Sequence, residues 1–196
     1  MSQLLDYDQI NIAIDKNNID LTDVLSRLFE INDISRHMSR SDSLILRQVD
    51  LKTYQRLLSD ARNKLKSNIT PSGTSYHKKW EDGWGENLSE FSRTGSIKSL
   101  YPFYIKNNNY FRLSGNYFTS ENVYFELDLA KTVINYYFEK YLFKSNTIID
   151  LGSGSNHYTI DLNLRNTDKN FFALDWSNNS NSIIIEANKK FSINIT

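Results

Sequence analysis

The sequence contains no cysteine. Disulfides, thiolate nucleophiles and cysteine-ligated zinc sites are therefore excluded. The same absence fits a cytoplasmic protein. Net charge is missing too, since 23 Lys and Arg balance 23 Asp and Glu. Affinity for a phosphate backbone rests on a basic excess, so a general nucleic-acid binder is not expected. Long apolar runs are also lacking: no window approaches the roughly 18–20 apolar residues of a membrane helix. The stretch from Met1 to Asn11 is polar and acidic, with no apolar signal core. The expectation is a cytoplasmic protein with a small-molecule substrate and neither a nucleic-acid nor a membrane partner.

What remains is enough to fold. The 196 residues suit one domain, or one domain with an appendage. A chain of this size hides roughly 70% of its unfolded surface. Hydrophobic residues make up 39% and charged residues 23%, which argues against disorder across most of the length.

Residues 1–70 read as a helical accessory region. Asp20 is placed to cap a helix carrying Leu21, Val24, Leu25, Leu28 and Phe29 at helical spacing. A second helix is expected from about Asp50 to Lys66, with Leu51, Tyr54, Leu57, Leu58, Ala61 and Leu65 as its apolar stripe. Residues 67–75 read as a linker around Pro71. Residues 76–118 hold many aromatic side chains, among them Tyr76, Trp80, Trp84 and Phe91, with Gly and Asn interspersed. No period persists there, so loops and short elements over a core or pocket are expected.

Residues 119–196 change character. A helix is expected over 120–142, capped by Ser120. Thr147 to Leu151 and Asn170 to Asp175 are short apolar runs that read as buried strands. Helical turns from His157 to Leu164 separate them. Ser177 or Ser180 caps a last helix with Ile183, Ile184 and Ala187, and Phe191 to Ile195 reads as the start of a third strand. Strand, helix, strand, helix implies a parallel α/β unit.

Chemistry concentrates between Asp150 and Ser177. A glycine turn, Gly152-Ser153-Gly154-Ser155-Asn156, leaves the first strand. Glycine lets the backbone take positive φ and approach a ligand closely. The next helix offers spare N–H groups at its N-terminus. The second strand ends in Asp175, at the span of about 20 residues where an acid accepts both hydroxyls of a ribose. A ribose-containing cofactor is the physical expectation. The dinucleotide pattern G-x-G-x-x-G would place its third glycine at His157, which is too bulky for the close contact that glycine serves.

Ile148-Ile149-Asp150-Leu151-Gly152-Ser153-Gly154-Ser155 resembles the first motif of class I S-adenosylmethionine-dependent methyltransferases. Phe172-Ala173-Leu174-Asp175-Trp176-Ser177 resembles their second. Trp80 to Asn87 and Tyr110 to Tyr117 resemble segments preceding this motif in some bacterial methyltransferases, including sugar methyltransferases. The resemblance implies a helical N-terminal region followed by an incomplete Rossmann-like methyltransferase sheet, with S-adenosylmethionine as cofactor. It further implies that Gly152 and Gly154, with Ser153, Ser155 and Asn156 between and after them, line the cofactor's methionine and ribose. Asp150 would orient the loop, Asp175 would hold the ribose hydroxyls and Trp176 would flank the adenine. By the same resemblance, Arg112 or Tyr117 would reach the cofactor carboxylate or the substrate. No metal is implied.

Two departures stand out. Asn156 replaces the third motif glycine, although Asn tolerates left-handed geometry. His157 follows and is a candidate general base, or an incidental loop histidine; His77 and His37 have less claim. The family's sheet has seven strands and this chain reaches two or three, so a fragment, a relic or a site completed by another polypeptide is expected. Methyl transfer to a small polar acceptor, such as a sugar, is one reading. A non-catalytic interaction module and an NAD- or nucleotide-sugar-binding enzyme are the others.

Overall fold

The computed structural model describes residues 18–21, 25–26, 45–67, 73–102, 105, 110–113, 115–122 and 124–196. Among them the chain is mixed α/β, with five α-helices and two small sheets. It divides into two compact units. The first is Met1–Pro71 with Asn108–Tyr136, and the second is Ser72–Asn107 with Tyr137–Thr196.

The first unit holds an antiparallel sheet. Its strands are β1 (Asn18–Asp20), β2 (Ile45–Gln48), β3 (Tyr110–Leu113) and β4 (Asn116–Thr119), in the order β1-β2-β4-β3. The sequence pattern did not suggest this sheet. Its clearest local signal is the β3–β4 hairpin, where Leu113 faces Asn116 across a two-residue connection. Gly115 in that connection has φ +83°, which favours glycine. Phe111 and Phe118 are directly opposite, and Phe118 is fully buried. Asp20, expected to cap a helix, closes β1, and Leu21 is helical; Val24, Leu28 and Phe29 lie outside the described residues.

Helix α1 (Leu51–Ser67) begins where its cap predicts. Asp50 accepts the Thr53 N–H and the Thr53 hydroxyl, both at 2.9 Å. These bonds, the backbone one foremost, hold the Asp50 carboxyl below its ordinary range. Tyr54 then meets Tyr117 edge-on at 5.7 Å. Helix α3 spans Phe125–Tyr137 and starts later than expected, because Ser120 caps no helix. The Ser120 hydroxyl accepts the Asn122 N–H, and the Asn122 side chain accepts the Tyr124 N–H. Such side-chain turns compete with helical hydrogen bonding and hold the chain out of the helix until Phe125.

The second unit corrects the reading of 76–118 as loops. Helix α2 runs from Gly73 to Thr94, 22 residues. Trp84, Asn87 and Phe91 are buried on it at helical spacing. Gly83 and Gly85 obscured that pattern, since each costs a helix about 1 kcal/mol relative to Ala. Packing overrides the cost. A Cβ at Gly85 would meet the Asn179 amide at 3.1 Å, so glycine lets the neighbouring helix come close. A 3-10 turn follows at Ile97–Leu100, and the buried Asn87 amide donates to Ser99 O and Tyr101 O, pinning that turn to α2.

After a π-helical turn, Phe138–Leu142, come β5 (Thr147–Leu151), α4 (His157–Arg165), β6 (Asn170–Leu174) and α5 (Asn178–Phe191). Strands β5 and β6 pair in parallel, Thr147 opposite Asn170 through Leu151 opposite Leu174. Ile195 bridges Phe171, also in parallel, so a third strand begins beside β6. The core on one sheet face joins Ile148 and Phe171 to Phe91 of α2, Ile160 of α4, and Ile183 and Ala187 of α5. The strands were expected to be buried, yet only that face is. Ile149, Leu151, Phe172 and Leu174 are exposed at 58, 76, 36 and 54%. Alternate strand residues point to opposite faces, and the described helices cover one.

Candidate functional site

The site is built at the ends of β5 and β6. The turn after β5 takes the left-handed region at Gly152 (φ +74°), Gly154 (φ +55°) and Asn156 (φ +59°). Asn156 thus adopts the geometry expected of the third motif glycine and adds a tie that glycine lacks. Its side-chain N–H groups donate to Ser180 O and Ser180 Oγ, both at 2.9 Å. Asn156 is buried by this bond and anchors the loop to α5.

The two glycines have different jobs. A Cβ at Gly152 would meet nothing within 4 Å, so that position opens on free space. A Cβ at Gly154 would lie 3.0 Å from the Trp84 ring, so that glycine admits a tryptophan. The loop amides also turn inward. Gly152 and Ser153 donate to Leu174 O at 2.8 and 3.3 Å, and Asn156 donates to Ser153 O at 2.8 Å. The Gly154 N–H donates to Asp175 Oδ2 at 2.8 Å.

Asp175 therefore bridges the ends of both strands. Its other oxygen accepts the Ser177 N–H at 2.9 Å. Each carboxylate oxygen carries two lone pairs, so one acceptor site per oxygen remains for a ligand. Asp150, at the end of β5, accepts the Thr159 hydroxyl, which fixes it against α4. Ser177 caps α5, accepting the Ser180 N–H at 3.2 Å. It also donates to the Glu81 carboxylate, which in turn accepts the Asn179 N–H at 3.2 Å. Glu81 is an acid at a helix N-terminus, where the dipole favours it, and it locks α2 onto the mouth of the site.

The ends of β5 and β6 open on one cavity of about 420 Å³, inside the range of roughly 300–1,000 Å³ for small-molecule sites. Asp150, Gly152, Ser153, Gly154, Ser155, Asp175 and Trp176, all expected from sequence, line it together. Asn156 is the exception and lies beneath the loop. Ser153 Oγ is buried, with no hydrogen-bond partner among the described residues. The buried His157 is among the lining residues, with its Nδ1 3.0 Å from Ser155 Oγ and its Nε2 closed off from solvent.

Sequence reasoning placed Trp80, Trp84 and Glu81 only in an aromatic segment over a core or pocket, with no individual role, and ranked His77 below His157. Trp80, Trp84 and His77 line the same cavity. Trp80 and Trp84 stand one helical turn apart, with ring centroids 5.4 Å apart. The i, i+4 spacing of two tryptophans was the available signal. Arg112 and Tyr117 belong to the hairpin of the first unit, with the Arg112 guanidinium 5.9 Å over the Tyr117 ring. His37 lies outside the described residues. Among the described residues no group of His, Asp and Glu is arranged to hold a metal ion, and no helix is long and apolar enough to cross a membrane.

Compared with protein-family models, with curated proteins and with solved structures, the chain matches none.

Proposed function

We propose that the cavity at the ends of β5 and β6 binds S-adenosylmethionine, and that the chain carries the cofactor half of a cytoplasmic methyltransferase acting on a small polar acceptor such as a sugar. The order β5-α4-β6-α5, with Ile195 beside β6, supports reading the second unit as part of a Rossmann-like sheet.

One observation carries the choice of cofactor. The amides of Gly152, Ser153, Gly154 and Asn156 are spent inside the protein, and the charged lining residues are Asp150 and Asp175. Among the described lining residues none is Lys or Arg. A pyrophosphate needs free N–H groups and cations, which disfavours NAD and nucleotide sugars. A sulfonium cofactor needs neither. The residues present fit it. Asp175 keeps acceptor sites for ribose hydroxyls, and Gly152 leaves backbone room. When bound, the cofactor would supply an electrophilic methyl group. The chain's own residues would orient it and exclude water, which is where most of the acceleration in such a transfer arises.

The uncovered apolar face of β5 and β6 favours the interaction-module reading, and one experiment separates the two. Titration calorimetry with S-adenosylmethionine is expected to give saturable binding. Asp175→Asn should weaken it about tenfold or more, since a hydrogen bond to a charged group is worth about 1.5–3 kcal/mol. No binding by a chain that retains its circular dichroism and melting transition would overturn the cofactor reading.

A further inference from the structure

The walls of the cavity have the chemistry of a cation receptor. All three tryptophans of the chain line it, Trp80 and Trp84 from α2 and Trp176 just past β6. Trp80 and Trp84 present neighbouring rings tilted by 34°. The Trp84 ring rests against Gly154, in the turn assigned to the methionine end of the cofactor. Trp176 makes a T-shaped contact with His77 at 4.7 Å and 86° and is 55% exposed. Indole faces carry negative potential and attract a cation within about 6 Å, most strongly when water is excluded. Asp150 and Asp175 add formal negative charge, and no Lys or Arg among the described lining residues offsets it.

We infer that this cavity discriminates by charge at the ligand's sulfur: it holds the sulfonium donor and lets go of the neutral thioether product, with Trp80 and Trp84 as the residues that set the preference. The inference rests on reading the cavity as an S-adenosylmethionine site. Methyl transfer would break the sulfur–methyl bond and leave its electron pair on sulfur, while the acceptor's oxygen or nitrogen would gain the methyl and give its proton to water. The sulfur therefore loses its positive charge in the step, and with it the attraction of the indoles. The consequence is a site weakly inhibited by its own product.

The test uses the whole chain and four probes. They are S-adenosylmethionine, neutral S-adenosylhomocysteine, sinefungin (which carries an ammonium group near the sulfonium position) and tetramethylammonium. Calorimetry reads affinity. Tryptophan fluorescence reads occupancy, since every tryptophan lines the cavity. The two cationic cofactor analogues are expected to bind about tenfold or more tighter than S-adenosylhomocysteine. Trp80→Leu should bring all three within about threefold of one another, and Trp80→Phe, which keeps an aromatic face, should retain most of the preference. Equal binding of the three by the natural chain overturns the inference and leaves the cofactor reading standing. That comparison needs no variant, so it decides even if Trp80→Leu fails to fold. Saturable quenching by tetramethylammonium, with no binding of any adenosyl compound, removes the cofactor reading and the inference with it. No response to any probe overturns both. An unchanged preference in Trp80→Leu overturns the role given to that ring.

Discussion

Ile148 and Ile149 are neighbours of identical type on one strand, and their surroundings are opposite. Ile148 is 7% exposed and packs into the core with Phe171, Ile160 and Ile183, whereas Ile149 is 58% exposed on the sheet's other face. The same split separates Phe171 from Phe172 on β6. An apolar run does not say how many of its faces are covered. The period-2 geometry of a strand assigns its residues to two faces, and only the packing of helices decides which face is core.

The comparison is sharpest as a pair of identical substitutions. Ile148→Ala is expected to lower unfolding stability in urea by about 2–5 kcal/mol, the cost of lost burial plus a cavity. Ile149→Ala should change it by no more than about 0.5 kcal/mol. Equal losses would mean that the second face is covered in solution. The glycine turn offers a smaller contrast of the same kind. Gly154→Ala combines left-handed strain with a collision against Trp84 and should cost about 1–3 kcal/mol. Gly152→Ala carries only the backbone strain, about 1–2 kcal/mol, because its Cβ projects into open space. Its larger effect should appear in ligand affinity by calorimetry, and a reversed order of the two stabilities would place the cavity on the wrong side of the loop. The smallest effect concerns Asp50, away from both faces. Its folded carboxyl lies below the ordinary value of 3.8, so its contribution is complete above that pH and fades as pH falls through the lowered folded value. Helical circular dichroism of Asp50→Ala should differ least from the natural chain at the acid end.

Legibility followed the range of the interactions. The turn from Gly152 to Asn156, the strands around it and the cap at Ser177 were readable because each is a local device: positive φ, an apolar run, a hydroxyl on a helix N-terminus. Helix α2 was not, because Gly83 and Gly85 lower local helix propensity, and the close approach of α5 that favours glycine at Gly85 is tertiary. The antiparallel sheet was not, because β2 and β4 pair across a long separation that no periodicity records. Trp80, Trp84 and Glu81 were missed for the same reason. They sit far from the glycine turn in sequence and reach it only when α2 docks.

The sequence by itself determined where β5, β6 and the turn between β5 and α4 lie, and it excluded thiol chemistry, because these follow from residue type and short spacing. Tertiary structure alone decided which sheet face became core, that Asp175 ties both strand ends together, and that three tryptophans separated by almost a hundred positions share one cavity. Local preference is written in neighbouring residues, whereas burial and cavity walls exist only once distant elements have packed.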